Sequence, residues 1–310
     1  MSRAILITGA TGKQGGAVVD ALLNRESSDF LLLAVTRNAQ SASAKRLAAK
    51  SSSIKLVEGD LDAAPALFAS AKASAGTIPI WGVFSVQAMS DQKSGRESRQ
   101  GKALIDESIK ATVQHFVYTS VERGGDERSW SNPTPVPHFI TKHQIEHHLR
   151  DSTANNKSAM GWTILRPVIF MDNLAPGFFG KVFLTMIRDI MMEKPLQWIA
   201  TKDIGFFAAE AFHNPSTWNK KAIGLAGDEL TYSQLSRKFE RATGAPAGTT
   251  LGLLGKALKH GVSELGIMVE WFKQDGYKAN MAEVKKIHPG VMTMEQWVKN
   301  SAFVKRWPRR

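Results

Sequence analysis

The feature that most constrains the fold is a set of three glycines near the start of the chain, separated by two residues each. Gly9, Gly12 and Gly15 follow an apolar segment at residues 4–8 and precede a helical segment at 17–23. A turn from strand to helix lets backbone N–H groups approach a pyrophosphate only where no Cβ intervenes, and the helix dipole favours the anion. This context predicts a dinucleotide-binding loop made of Gly9, Thr11, Gly12, Lys13, Gln14 and Gly15.

Short apolar segments alternate with helical segments along the first half of the chain. The predicted strands cover residues 4–8, 30–36, 54–57, 82–86, 115–119 and 162–165, and the predicted helices cover 17–23, 65–73, 101–112, 140–150 and 178–192. This alternation is typical of βαβ units and a parallel sheet. We therefore expect an α/β fold, a Rossmann-type doubly wound parallel sheet with a smaller C-terminal α/β region.

The domain boundary is expected near residue 150, where the regular alternation ends. Residues 1–150 would form the nucleotide domain, and 151–310 the smaller substrate or partner region. Two later segments, 162–175 and 222–226, could both return to the sheet, so the two regions are expected to interleave. A glycine-rich segment at 244–255 is predicted to be a loop or linker within the second region.

The ends of the later strands supply the rest of the predicted cofactor site, because such sheets bind ligands beyond the carboxyl ends of their strands. The second strand ends in Thr36-Arg37-Asn38, without an acid to hold a ribose 2′-hydroxyl. Arg37 could instead pair with a 2′-phosphate through two N–H donors, which favours NADP(H) over NAD(H). The adenine is expected beside Asp60 and Leu61, and the ribose beside Ser85, Val86 and Gln87.

Seven segments of the chain form a recognisable set: ITGATGKQGGAVV at 7–19, VTRN at 35–38, VEGDLD at 57–62, FVYTSVE at 116–122 and ILRPVIFMDNL at 164–174, with TYSQLSRKF at 231–239 and MTMEQWV at 292–298. Together they resemble the NmrA-like family of atypical short-chain dehydrogenases/reductases. The resemblance implies an NADP(H)-binding domain with Phe170 and Asn173 near the nicotinamide. Some relatives are redox-sensing regulators that bind partner proteins, and others are reductases of small molecules.

The catalytic positions of that wider class are only partly kept. Active short-chain dehydrogenases use a serine and a Tyr-x-x-x-Lys helix, in which the lysine holds the nicotinamide ribose and lowers the tyrosine pKa. The matching segment here runs from His138 to Lys142, so the lysine is present and a histidine replaces the tyrosine. The resemblance implies that Lys142 anchors the ribose. His138 could donate a proton, because imidazole titrates near neutral pH.

The serine is also altered, since the position that carries it in related enzymes holds Val121, with Ser120 beside it. Two of three catalytic positions are thus changed while the cofactor positions are kept. This asymmetry favours an NADP(H)-binding redox sensor that acts through partner proteins. The alternative is an NADPH-dependent reductase of a small carbonyl, quinone or enone compound, with His138 in place of the tyrosine.

Composition and motifs bear on the remaining classes of function. The chain carries 40 Lys and Arg against 28 Asp and Glu, a net charge of +12. Four of these cations lie in the last ten residues and the others are interleaved with acids, so we do not expect a nucleic-acid partner. Without cysteine, a disulfide framework and a thiolate metal site are excluded.

A zinc site is not expected either. His143, Glu146 and His147 match an inverted zinc-protease pattern, but no third ligand is marked in the sequence.

The sequence has no apolar run of about 18 residues and no secretory signal at its start. We expect a cytoplasmic protein that does not insert into membranes, with a nuclear location also compatible.

Overall fold

The computed structural model describes residues 1–25, 29–88, 95–155, 157–191, 193–249 and 263–305. The chain divides into two compact units whose segments alternate along the sequence. The first unit comprises Met1–Ser120, Thr141–Arg166 and Thr201–Ile223, and the second comprises Val121–Ile140, Pro167–Ala200 and Gly224–Arg310. Residue 150, where the sequence suggested a boundary, lies inside a segment of the first unit.

The first unit is built on a seven-stranded, mostly parallel sheet. Its strands are β1 (Arg3–Ile7), β2 (Phe30–Thr36), β3 (Ile54–Glu58), β4 (Ile80–Ser85), β5 (His115–Thr119), β6 (Gly161–Pro167) and β9 (Lys221–Leu225). The strand order is β3-β2-β1-β4-β5-β6-β9, and all the pairs from β3 to β6 are parallel. The order reverses between β1 and β4, the position at which open α/β sheets bind ligands beyond the carboxyl ends of their strands. The predicted Rossmann-type sheet is thus confirmed.

Helices accompany this sheet. They are α1 (Lys13–Leu23), α2 (Ala42–Ala48), α3 (Ala64–Ala75), α4 (Arg96–Lys110), most of α6 (Pro137–Ser152), α8 (Thr201–His213) and α9 (Pro215–Trp218). The residues of β2 are all buried, as the continuous apolar run of a covered parallel strand requires. The backbones of α1 and α8 are closely packed at Gly205. A Cβ at this position would overlap the carbonyl of Ala17.

Helix α6 begins three residues earlier than the sequence suggested. Its first residue is Pro137, whose fixed φ and missing N–H suit the first turn of a helix. His138 therefore lies in the first turn rather than in the preceding loop. Helix α4 also begins five residues before its predicted start, at Arg96.

The second unit has its own sheet and core. Strands β7 (Ile169–Phe170), β8 (Leu196–Ile199) and β10 (Asp228–Leu230) form a sheet of order β10-β8-β7. Its helices are α5 (Arg128–Ser131), the start of α6, α7 (Phe178–Met191), α10 (Tyr232–Thr243), α11 (Ser263–Gln274), α12 (Met281–Ile287), α13 (Met294–Asn300) and α14 (Ala302–Lys305). Trp198, Trp271 and Trp297 are the bulkiest members of the core cluster that these elements enclose.

Some predictions fall on residues outside the described part of the chain. The end of the predicted helix at residue 192, part of the 244–255 loop and most of the basic C-terminal residues lie there. Among the helices that the structure describes, none has the length and hydropathy needed to cross a membrane.

Candidate functional site

The glycine loop has the geometry of a phosphate cradle. Gly9 has a φ of +59°, a region that favours glycine, and its carbonyl accepts a hydrogen bond from the N–H of Gly12 at 2.8 Å. A Cβ on Gly15 would overlap the backbone of Gly9. Gly12 is the N-cap of α1, gives no side-chain cap, and the first turn contains no acid. The first N–H groups of α1 are therefore not capped by a side chain, as a diphosphate site requires.

Two threonines that the sequence analysis did not single out fix this loop to the sheet. The Thr8 hydroxyl accepts a hydrogen bond from the N–H of Val86 at 2.8 Å and lies 2.9 Å from the Val86 carbonyl. The Thr119 hydroxyl donates to Gln14 Oε1 at 2.7 Å. These bonds join the carboxyl ends of β1, β4 and β5 around the loop. Thr11, Gly12 and Lys13 are exposed at its rim.

The loop after β2 presents an exposed Arg37, which has no ion-pair partner among the described residues. Asn38 shapes the turn, because its Oδ1 accepts from the N–H of Gln40 at 2.8 Å. An acid does reach this loop, although β2 itself provides none. Glu58 Oε2 accepts from the N–H of Ala39 at 2.8 Å, because the strand register pairs Thr36 with Glu58. The end of β2 carries no acid, as predicted, but the sequence analysis did not anticipate that Glu58 of the neighbouring strand would reach this loop.

The loops after β3 and β4 hold the other predicted cofactor residues of the first unit. Asp60 caps a short 3₁₀ turn that begins at Leu61, accepting from the N–H of Asp62 at 3.0 Å. After β4, Gln87 Nε2 donates to the hydroxyl of Ser85 at 2.9 Å. The Gln87 Oε1 atom is buried without a hydrogen-bond partner within the described chain. A buried acceptor of this kind needs a donor, which a ribose hydroxyl would supply.

Lys142 is held by an acid that the sequence analysis missed. Its Nζ donates to Glu97 Oε1 at 2.9 Å, and the hydroxyl of Thr141 donates to Glu97 Oε2 at 3.0 Å. Glu97 lies in α4 on the same helical face as Gly101, Leu104 and Ser108, all of them buried. A charged residue on a buried helix face was the signal available in the sequence.

In the second unit, His138 is paired with a carboxylate on α11. Its Nδ1 lies 2.6 Å from Glu264 Oε1, and its backbone N–H donates to the same oxygen at 3.2 Å. The His138 side chain is 14% exposed and its ring packs edge-on against Phe139. Val121, at the position of the serine, is buried in the hydrophobic core of this unit.

Phe170 and Asn173 also belong to the second unit. Phe170 ends β7 and is partly buried, whereas Asn173 is exposed at the end of the 3₁₀ turn Met171–Asn173.

The histidine pattern on α6 is engaged in other contacts. The Glu146 carboxylate is fully buried and accepts from Arg166 Nη2 at 2.8 Å. The rings of His143 and His147 pack against each other with centroids 4.3 Å apart. Within the described residues, no group of three or more potential metal ligands comes together.

The fold and the glycine loop define a dinucleotide-binding protein of the Rossmann type. Comparison with known sequences agrees, since residues 1–298 match the NmrA-like family. The chain belongs to this family.

One relative is the NmrA-like family domain-containing oxidoreductase hkm9 of Aspergillus hancockii. It is 28% identical over 266 residues, which cover 79% of this chain and 74% of the relative. A solved structure of NmrA, a negative transcriptional regulator, in complex with NADP has a TM-score of 0.67 at 19% identity, covering 98% of this chain and 96% of that one. The NADPH-dependent quinone oxidoreductase QOR2 of Escherichia coli, complexed with NADPH, has a TM-score of 0.69 at 18% identity, covering 95% and 97%.

Proposed function

We propose that this protein is an NADP(H)-dependent reductase of a small carbonyl, quinone or enone compound. The observation that supports a reductase is the pairing of His138 with Glu264, at the position where related enzymes carry their tyrosine. The sequence alone favours a redox sensor, because two of the three catalytic positions are altered while the cofactor positions are kept. A histidine whose Nδ1 is held by a carboxylate has the arrangement of a general acid or base.

The residues of the first unit suit the cofactor. The glycine loop would hold the diphosphate, Arg37 and Asn38 the 2′-phosphate, and Lys142 the nicotinamide ribose. The unpartnered Gln87 Oε1 fits a bound dinucleotide, and so does the tight turn in which Gly15 packs directly on the backbone of Gly9. Asp60 and Leu61 would border the adenine, and Ser85 and Val86 the ribose. Phe170 and Asn173 stay predictions that rest on the family resemblance alone.

His138 would supply the proton of the reduction. When bound, NADPH provides a hydride for the carbon of the substrate. The Glu264 carboxylate would hold the Nδ1–H of His138 and stabilise the imidazolium, so that the proton leaves from Nε2 to the substrate oxygen. The carbonyl thus gains a hydride and a proton and becomes an alcohol, and His138 regains its proton from solvent.

The test is NADPH oxidation with a panel of quinones, enones and aldehydes, for the wild-type protein and for His138→Gln. We expect kcat of His138→Gln to fall about 100-fold, the usual contribution of a general acid, with the NADPH affinity unchanged. The matched control is His148→Gln, which alters a histidine ten residues further along α6 that pairs with Asp106. Equal rates for all three proteins would refute the assignment of His138. No oxidation of any substrate by the wild type would refute the reductase.

The second candidate is a redox sensor that binds a partner protein according to cofactor state. It is favoured by Val121, which replaces the expected serine and is buried in the core of the second unit. A binding equilibrium can report the cofactor only if NADP and NADPH stabilise different conformations. Affinity capture with each cofactor form would test this: a partner retained with one form only would support the sensor, and identical partners would refute it.

A further inference from the structure

Lys142 pairs with a carboxylate that is almost completely shielded from solvent. The side chains of Glu97 and Lys142 are 2% and 16% exposed, and their charged atoms lie 2.9 Å apart. Thr141 donates to the second oxygen of Glu97 at 3.0 Å, so both oxygens have a donor. As a unit, the pair carries no net charge.

The other charges around the start of α4 are engaged elsewhere. Arg96 pairs with Asp62 and lies 3.5 Å from Asp60, and Gln100 Nε2 donates to Asp62 at 2.8 Å. Within the described residues, Glu97 is therefore the acid that pairs with Lys142. Adjacent residues of α4 thus make separate ion pairs, Arg96 at the exposed side and Glu97 at the buried side.

Stability alone does not account for this pair. Removing two charges from water costs about as much as their attraction returns, and apolar residues of similar size often stabilise a protein as well or better. A buried lysine–glutamate pair that includes a predicted cofactor residue therefore calls for a functional explanation. Charge balance beside the cofactor provides one.

We propose that Glu97 cancels the charge of Lys142 and thereby sets the relative affinity of the protein for oxidised and reduced NADP. The inference rests on the proposed function, in which Lys142 holds the nicotinamide ribose. The nicotinamide ring is positively charged in the oxidised cofactor and neutral in the reduced one. An unbalanced ammonium beside the ring would disfavour the oxidised form, whereas a neutral pair does not.

The decisive variant is Glu97→Gln, which removes the charge but keeps the shape. The amide oxygen can still accept from Lys142, and the amide nitrogen can donate to the hydroxyl of Thr141. The matched control is Glu107→Gln in the same helix, where the carboxylate pairs with the exposed Lys110 about 15 Å further along the axis. Glu97→Ser removes the same charge and leaves room for water, so it replaces Glu97→Gln should that variant not fold.

The measurement is the dissociation constant of each cofactor form by calorimetry, with circular dichroism as the check on folding. For Glu97→Gln we expect the ratio of the NADP⁺ constant to the NADPH constant to rise about tenfold, which equals 1.4 kcal/mol. Glu107→Gln should keep the wild-type ratio. The double variant Glu97→Gln/Lys142→Met, which again has no net charge at this position, should return towards it.

A ratio unchanged in the Glu97 variants overturns the proposal. This holds even if both affinities fall together, because a uniform loss indicates a purely structural role for Glu97. Failure of the proposed function looks different, since the wild-type protein would then oxidise NADPH with no substrate of the panel. Failure of the cofactor assignment itself would show as a wild-type protein that binds neither form.

Discussion

Acidification should destabilise the first unit through His115, a buried histidine in β5. Its ring stacks on that of Trp81 with centroids 6.4 Å apart, and its Nε2 lies 2.9 Å from Thr163 Oγ1. Thr163 Oγ1 itself donates to the carbonyl of Trp218, so the imidazole is the donor to Thr163. Burial lowers the pKa of His115 from 6.5 to about 4, because the imidazolium loses its hydration there.

The direction of the effect follows from this depressed pKa. Above pH 6.5 the imidazole is neutral in both the folded and the unfolded chain, and its contribution to stability is fully present. As the pH falls from 6.5 towards 4, the unfolded chain binds a proton that the folded chain does not bind. The free energy of unfolding should fall by about 2 kcal/mol by pH 5 and about 3 kcal/mol in total, at about 1.4 kcal/mol for each unit of pKa.

The assay is urea unfolding followed by circular dichroism at pH 7.5 and pH 5, for the wild type and for His115→Gln. Glutamine keeps an N–H donor for Thr163 but has no titrating group. The wild type should lose about 2 kcal/mol more stability between the two pH values than the variant does. Equal losses for the two proteins would show that His115 takes up its proton as readily in the folded state, and would refute the argument.

Three further predictions concern the cofactor loops. Arg37→Ala should weaken NADP binding about tenfold and leave NAD binding nearly unchanged, because a charge-assisted pair with the 2′-phosphate is lost; calorimetry showing equal losses would contradict this. Glu58→Gln should strengthen NADP binding by about twofold relative to NAD at low salt, since an exposed acid near the 2′-phosphate is weakly repulsive; a ratio that stays constant would count against it. Gly15→Ala should lower the melting temperature and abolish cofactor binding, because the new Cβ overlaps the backbone of Gly9; retained affinity would be the contrary result.

The strands and the glycine loop could be predicted because their signals are local. The continuous apolar run of β2 indicates a strand covered on both faces, and its limits, Phe30–Thr36, match the prediction. Gly9 and Gly15 stand six residues apart in one turn, so their steric role can be read from spacing and context.

The acids around the site could not be predicted in the same way, because each one reaches its partner across the fold. Glu58 contacts a loop 19 residues earlier in the chain, Glu97 pairs with a lysine 45 residues later, and Glu264 lies 126 residues beyond His138. The register between β2 and β3 sets the position of Glu58, and the packing of α4 against α6 sets the position of Glu97. The sequence marks Glu97 only as an acid on an otherwise buried helix face, and neither acid can be matched to its partner until the elements have been placed in three dimensions.

Because the segments of the two units alternate along the chain, they constrain how the protein can fold during synthesis and where it can be truncated. The first unit needs β6, which ends at Pro167, and α8, whose backbone at Gly205 contacts α1. During synthesis, the nucleotide-binding sheet therefore cannot be completed until most of the chain has left the ribosome. An amino-terminal fragment that ended at residue 150 would expose the open edge of β5 and the uncovered side of α1, and we expect such a fragment to aggregate.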